Sequence, residues 1–211
     1  MRAIPIVTQE DQKILSDMEI EIAGMMKEIS SKEEGISKAE EKLADLYNDY
    51  AKYLAKYVRK LRDLSKQIEI LSREGKSGVT QEDVQFIKNQ ITHIDEKIEK
   101  FEKLYDRLKD LSIQKKSLWE KRNDYAEVVV TAAKFRTKMV ETKFKIEEAK
   151  NKMLPAEKVA SSETKYKDLE REFQRSQKEK EKKWENYEKE MVEVNALWKK
   201  FKEAIDDKGM E

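Results

Sequence analysis

The sequence predicts an all-α protein, a long antiparallel three-helix coiled coil, on three observations. Of 211 residues, 42% are charged and only five are glycine and two proline, whereas a globular domain carries about 25% charge and long helices are rich in Ala, Glu, Lys, Leu and Arg. Three tryptophans, eight tyrosines, six phenylalanines and eight methionines are spread through the chain, more apolar bulk than a solvated coil needs. Apolar residues return every three or four positions over three stretches separated by two short breaks, the pattern of helices packed along a heptad seam.

The first helix is predicted over residues 8–74. Thr8-Gln-Glu-Asp11 puts a hydroxyl at the N-cap and acids in the first turn, at the positive end of the helix dipole. Its seam reads Ile36, Ala39, Leu43, Leu46, Tyr50, Tyr53 or Leu54, Tyr57, Leu61, Leu64, Ile68 and Leu71, and runs more loosely upstream through Ile29, Met25, Ile22 and Met18. Gly24 and Gly35 interrupt that weaker part, each costing about 1 kcal/mol relative to Ala. Gly75 and Gly78 supply the stop. The triplet Gly75-Lys76-Ser77 suggests a phosphate-cradling loop, but such a loop needs a glycine five residues before the Gly-Lys pair, after a strand. That position is Ile70, in helical sequence.

The second helix, residues 80–153, starts on the same tetrapeptide, Thr80-Gln-Glu-Asp83, with Val79 and Val84 placed as a hydrophobic staple. Its seam runs Val84, Ile87, Ile91, Ile94, Ile98, Phe101, Tyr105, Leu108, Leu111, Leu118, Tyr125, Val129, Ala132, Met139 and Ile146, uninterrupted until Pro155. The third, residues 157–205, follows Tyr166, Leu169, Phe173, Lys180, Trp184, Tyr187, Met191, Val194, Trp198, Phe201 and Ile205. At about 1.5 Å per residue these helices would be roughly 100, 110 and 75 Å long, and short connections make them antiparallel neighbours. Residues 1–7 are a short lead, 8–207 a single domain and 208–211 a tail. A slender three-helix rod cannot bury every seam. Tyr50, Tyr57, Leu61, Ile91, Ile98, Trp184, Tyr187, Trp198 and Phe201 are therefore expected in the core or a dimer interface.

With no cysteine, disulfides and thiol chemistry are excluded. No run of about 18 apolar residues occurs, and "MRAIPIVTQED" lacks the apolar core of a signal peptide; a soluble cytosolic protein is expected. Lone His93 beside the second seam offers no metal set, and the carboxylate pairs at 33–34, 40–41 and 147–148 lie in exposed helix, where nothing desolvates an acid for catalysis. No enzyme, catalytic residue, metal or cofactor is expected. Charge nearly balances, 45 basic against 44 acidic residues, which argues against nucleic acid.

The charge is unevenly distributed. Residues 8–49 hold 5 basic and 12 acidic groups, a net of −7, and residues 52–66 hold 6 basic and 1 acidic, a net of +5. Where the second helix nears the third, Lys134, Arg136, Lys138, Lys143, Lys145, Lys150 and Lys152 stand against Glu141, Glu147 and Glu148, a net of +4. Lys115, Lys116, Lys121 and Arg122 form a smaller cluster mid-helix.

"LWEKRNDYAEVVVTAAKFRTKMVETKFK" at residues 118–145 and "YKDLEREFQRSQKEKEKKWENYEKEMVEVNALWKKFKEAI" at 166–205 resemble the sorting-nexin branch of the BAR domain family, and the order of long helices resembles BAR domains at large. The resemblance implies an elongated curved homodimer, or a heterodimer with a related chain, that binds anionic phospholipid on the cytosolic face of membranes. It further implies curvature sensing or generation in endosomal trafficking, with trafficking proteins as partners. In this reading the 134–152 cluster is the hairpin-tip contact and the 115–122 cluster a concave-face contact. Sorting nexins carry a phosphoinositide-binding domain ahead of the helices, and only seven residues precede Thr8, so this is a piece of a longer protein or a BAR group without that domain. With so short a start, scaffolding is favoured over insertion of an N-terminal amphipathic helix. The other reading is a structural coiled-coil adaptor or tether that binds protein partners without direct membrane affinity, its basic faces serving acidic partners or its own stability, since charge runs on a coiled coil are usually solvated faces laced with i,i+4 pairs.

Overall fold

The computed structural model describes residues 8–74 and 78–206. There the chain is three helices, α1 (Gln9–Glu74), α2 (Gln81–Asn151) and α3 (Ala156–Asp206), with no strand among the described residues. The expected lead, the Gly75-Lys76-Ser77 triplet and the tail lie outside the described residues.

Both "TQED" tetrapeptides are capping boxes. The Thr8 hydroxyl accepts the Asp11 N–H at 3.1 Å and the Asp11 carboxylate accepts the Thr8 N–H at 2.8 Å; Thr80 and Asp83 repeat this at 3.2 and 2.9 Å. Each box satisfies two donors that a helix start leaves orphaned. Just before the second box, Gly78 has φ 65°, a left-handed backbone that costs glycine nothing. Val84 is buried and Val79 half-buried, as a staple requires.

The described residues fall into two compact units, each drawing on all three helices. Of the described residues, unit 1 takes 8–34 and 116–192, and unit 2 takes 35–74, 78–115 and 193–206. In unit 1, Glu19 meets Arg136 and Glu33 meets Arg122, so α1 and α2 run antiparallel; Asp124 meets Lys183 and Arg136 lies over Phe173, so α2 and α3 do too. In unit 2 the same directions follow from Glu40 with Lys115 and Arg62 with Asp95 for α1 and α2, and from Gln114 with Glu193 and Arg107 with the Lys200 carbonyl for α2 and α3.

The second helix packs largely as its seam predicts: Val84, Leu108, Leu111, Leu118, Val129, Ala132 and Ile146 are buried. The first does not. Its predicted seam of large residues is exposed at Ile36, Leu43, Leu46, Tyr50, Tyr53, Tyr57, Leu64 and Leu71. The buried face is a row of small residues at intervals of seven, Ser16, Ala23 and Ser30 in unit 1 and Ser37, Ala44, Ala51, Val58 and Ser65 in unit 2. The reason is volume. In unit 2, α2 fills the interior with Leu104, Leu108 and Leu111, all essentially inaccessible, and close-packed interiors put small side chains opposite large ones. The serines keep their hydroxyls satisfied: Ser16 and Ser30 donate to the carbonyls of Gln12 and Met26, both at 3.0 Å.

Candidate functional site

Three regions decide what the chain can bind. The first is the internal ionic network of unit 1. Glu19, Glu33 and, in unit 2, Glu40 fall at multiples of seven on the inward side of α1, each facing a cation of α2. Glu19 is bonded to both Arg136 and Lys180 at 2.8 Å, and the Arg136 guanidinium also lies 5.3 Å from the Phe173 ring centroid. Arg122 donates to Glu33 at 2.6 Å and to the Tyr187 hydroxyl at 3.3 Å. Burial pulls the Arg122 guanidinium towards its neutral form, but the bonds it donates to Tyr187 and Glu33 outweigh this and its pKa is raised. The bond that Lys183 donates to Asp124, at 2.6 Å, likewise raises the Lys183 pKa.

This network absorbs several cations of the two basic clusters. Arg136 of the tip cluster is 14% exposed and faces Glu19. In the mid-helix cluster, Lys115 holds Glu40 and lies 5.1 Å from the Trp198 ring, and Arg122 is buried; Lys116 is exposed and Lys121 half-buried. The signal for the internal role was available: an acid on the small-residue face of α1 needs a cation opposite.

The second region is the end of α2 in unit 1. Lys150 pairs with Glu163 at 2.8 Å and Lys152 with Glu148 at 2.6 Å, and each bond lowers its carboxylate's pKa. These four groups are exposed, so the pairs are weak. Lys134, Lys138, Lys143 and Lys145 are exposed, with no partner among the described residues. Lys134, Lys138 and Lys145, at intervals of four and seven, share one face of the helix; Lys143 points elsewhere. Phe144 is exposed beside Lys145, and Met153 and Leu154 are exposed where the helix ends. Sequence periodicity assigned no role to these three, since none continues a seam.

The third region is the outer face of α1 in unit 2. Ile36, Leu43, Tyr50, Tyr57, Leu64 and Leu71 repeat every seven residues, with Leu46 and Tyr53 beside them, all at least 40% exposed. Tyr50 meets Phe101 edge-on at 4.9 Å but keeps its outer side free. Of the other residues expected in a core or interface, Tyr187 and Phe201 are buried, Leu61, Ile91 and Ile98 are half-buried, and Trp184 and Trp198 are 38% exposed against Tyr125 and Phe201.

His93 is exposed, and among the described residues no cluster of His, Asp or Glu is arranged to hold a metal. No described helix is long and apolar enough to cross a membrane. No family model, curated protein or solved structure matches the chain at a significant level.

Proposed function

We propose that the chain is a dimeric BAR-type module that binds anionic cytosolic membranes as a peripheral protein and senses or imposes curvature, with endosomal traffic as the setting the sorting-nexin resemblance implies. The observation that carries the lipid contact is the row Lys134, Lys138 and Lys145, three exposed cations on one helix face with no internal partner. A cation near an anionic surface gains about 1 kcal/mol, decaying over a Debye length. Arg136 is no part of this contact, because Glu19 and the Phe173 ring hold it inside.

Self-association rests on the outer row of α1 in unit 2. Asp45 and Asp49 precede Tyr50, and Lys56, Arg59 and Lys60 follow Tyr53. A second copy laid antiparallel about a two-fold axis near these tyrosines sets acids against bases and large apolar side chains against one another, whereas a parallel copy sets like charges together.

The test is co-sedimentation with phosphatidylserine-containing vesicles of several diameters, with mass in solution followed by light scattering. Lys134→Glu, Lys138→Glu and Lys145→Glu together should weaken binding at least about 100-fold and leave the dimer intact; unchanged binding would refute this contact. An adaptor that binds proteins without lipid is the second reading, favoured by the same apolar row. A chain that stays in solution at every lipid composition would select it.

A further inference from the structure

α2 ends on a Schellman turn: the Leu154 N–H donates to the Ala149 carbonyl and the Met153 N–H to the Lys150 carbonyl, both at 3.1 Å. The motif places a left-handed residue just past the helix, a position usually given to glycine. Here it is Met153, with φ 51°. A side chain in that conformation crowds its own backbone, and this one recovers nothing by packing, since Met153 is 92% exposed and the next residue, Leu154, 42%. Two adjacent large apolar residues thus stand in water at the apex of a turn, one of them in an unfavourable backbone conformation. Such an outlier points to a contact outside the chain.

The surroundings favour one occupant. The α2 segment leading to the apex carries the Lys134, Lys138 and Lys145 row, with exposed Phe144 next to Lys145. Cations that stay in water beside apolar groups that leave it suit the boundary of an anionic bilayer, with headgroups outside and acyl chains within. We propose that Met153 and Leu154 form a wedge that enters the acyl boundary of an anionic membrane while the lysine row holds the headgroups. This rests on the membrane reading above and adds insertion to it.

The chain has no cysteine, so Met153→Cys can carry a single environment-sensitive fluorophore, with Thr92→Cys, exposed on α2 in unit 2, as the control. On addition of phosphatidylserine-containing vesicles, the label at 153 should shift to the blue and become accessible to quenchers within the bilayer, and the label at 92 should do neither. In parallel, Met153→Gly gives the turn its preferred residue and removes the wedge: vesicle affinity should fall about tenfold while the melting temperature holds or rises. No vesicle binding by the unaltered chain overturns the membrane reading itself. Binding with the 153 label still in water and Met153→Gly at full affinity overturns the wedge and leaves that reading standing. A blue shift without vesicles that grows with protein concentration shows a second copy covering the turn and also overturns the wedge.

Discussion

The two units use the same three helices and solve their interiors differently. Unit 1 is threaded by ions: Glu19 holds Arg136 and Lys180, Glu33 holds Arg122, and Asp124 holds Lys183, around a small cluster of Ala23, Ala126 and Val129. Unit 2 has an apolar interior of Val58, Leu104, Leu108 and Leu111, while the exposed apolar row of α1 is common to both units, as Leu15, Ile22 and Ile29 in unit 1 and Ile36, Leu43, Tyr50, Tyr57, Leu64 and Leu71 in unit 2. Partly buried ion pairs add little net stability but penalise wrong pairings heavily. Apolar burial stabilises strongly and selects partners weakly. Unit 1 is thus built for one arrangement of its helices, and unit 2 for cohesion.

The largest expected effect lies in the interior of unit 2. Leu108→Ala should cost about 3 kcal/mol in chemical denaturation, whereas Leu46→Ala on the outer row should cost less than about 0.5 kcal/mol. Comparable losses would erase the distinction between inner and outer faces. Next is the row itself: Leu43→Glu with Tyr50→Glu should weaken self-association roughly 100-fold by analytical ultracentrifugation and leave helical content unchanged.

The ionic side is tested by Glu19→Ala, which strands two cations and should cost about 2 kcal/mol. Replacing Glu19, Arg136 and Lys180 together by Leu or Met should recover most of that. A triple variant no better than the single one would show that these side chains act through packing, not charge. By contrast Asp95→Asn, which breaks the exposed pair with Arg62, should cost less than about 0.5 kcal/mol.

The smallest effect concerns the caps. Hydrogen bonds from the Thr80 N–H and hydroxyl lower the Asp83 pKa below its ordinary 3.8, so the stabilisation is fully present above that value and is lost as pH falls through the lowered one. The difference in melting temperature between the unaltered chain and Asp83→Asn should therefore vanish on acidification. A difference constant down to low pH would show that the carboxylate charge is not what the cap uses.

Helix number, ends and the α2 seam were legible because caps and apolar periodicity are local signals: the helices expected at 8–74, 80–153 and 157–205 are found at 9–74, 81–151 and 156–206. The inner face of α1 was not. Its large residues form so regular a heptad that they read as the seam, and only the bulk supplied by α2 shows that the serines and alanines one position later are the ones that fit. The tip cluster was legible as a run of charge but not by residue, since whether a cation is spent inside depends on which acid faces it from another helix. Arg136 and Lys134 are two positions apart; Glu19 meets only the first.

The row of small residues on α1 carries one more consequence. Serine, alanine and valine recurring every seventh position make a ruler whose marks look alike. Sliding α1 one heptad past α2 in unit 1, about 10.5 Å, would set small residues against nearly the same neighbours, and the Ser16 and Ser30 hydroxyls, bonded to their own helix, would not object. In unit 1 the unequal marks are the acids: between Glu19 and Glu33 the same series has Met26, so a one-heptad slip would put an apolar side chain where Arg136 or Arg122 expects a carboxylate. The ions there act as a ratchet's teeth, letting a long, repetitive helix find one seat among several that fit it almost equally well.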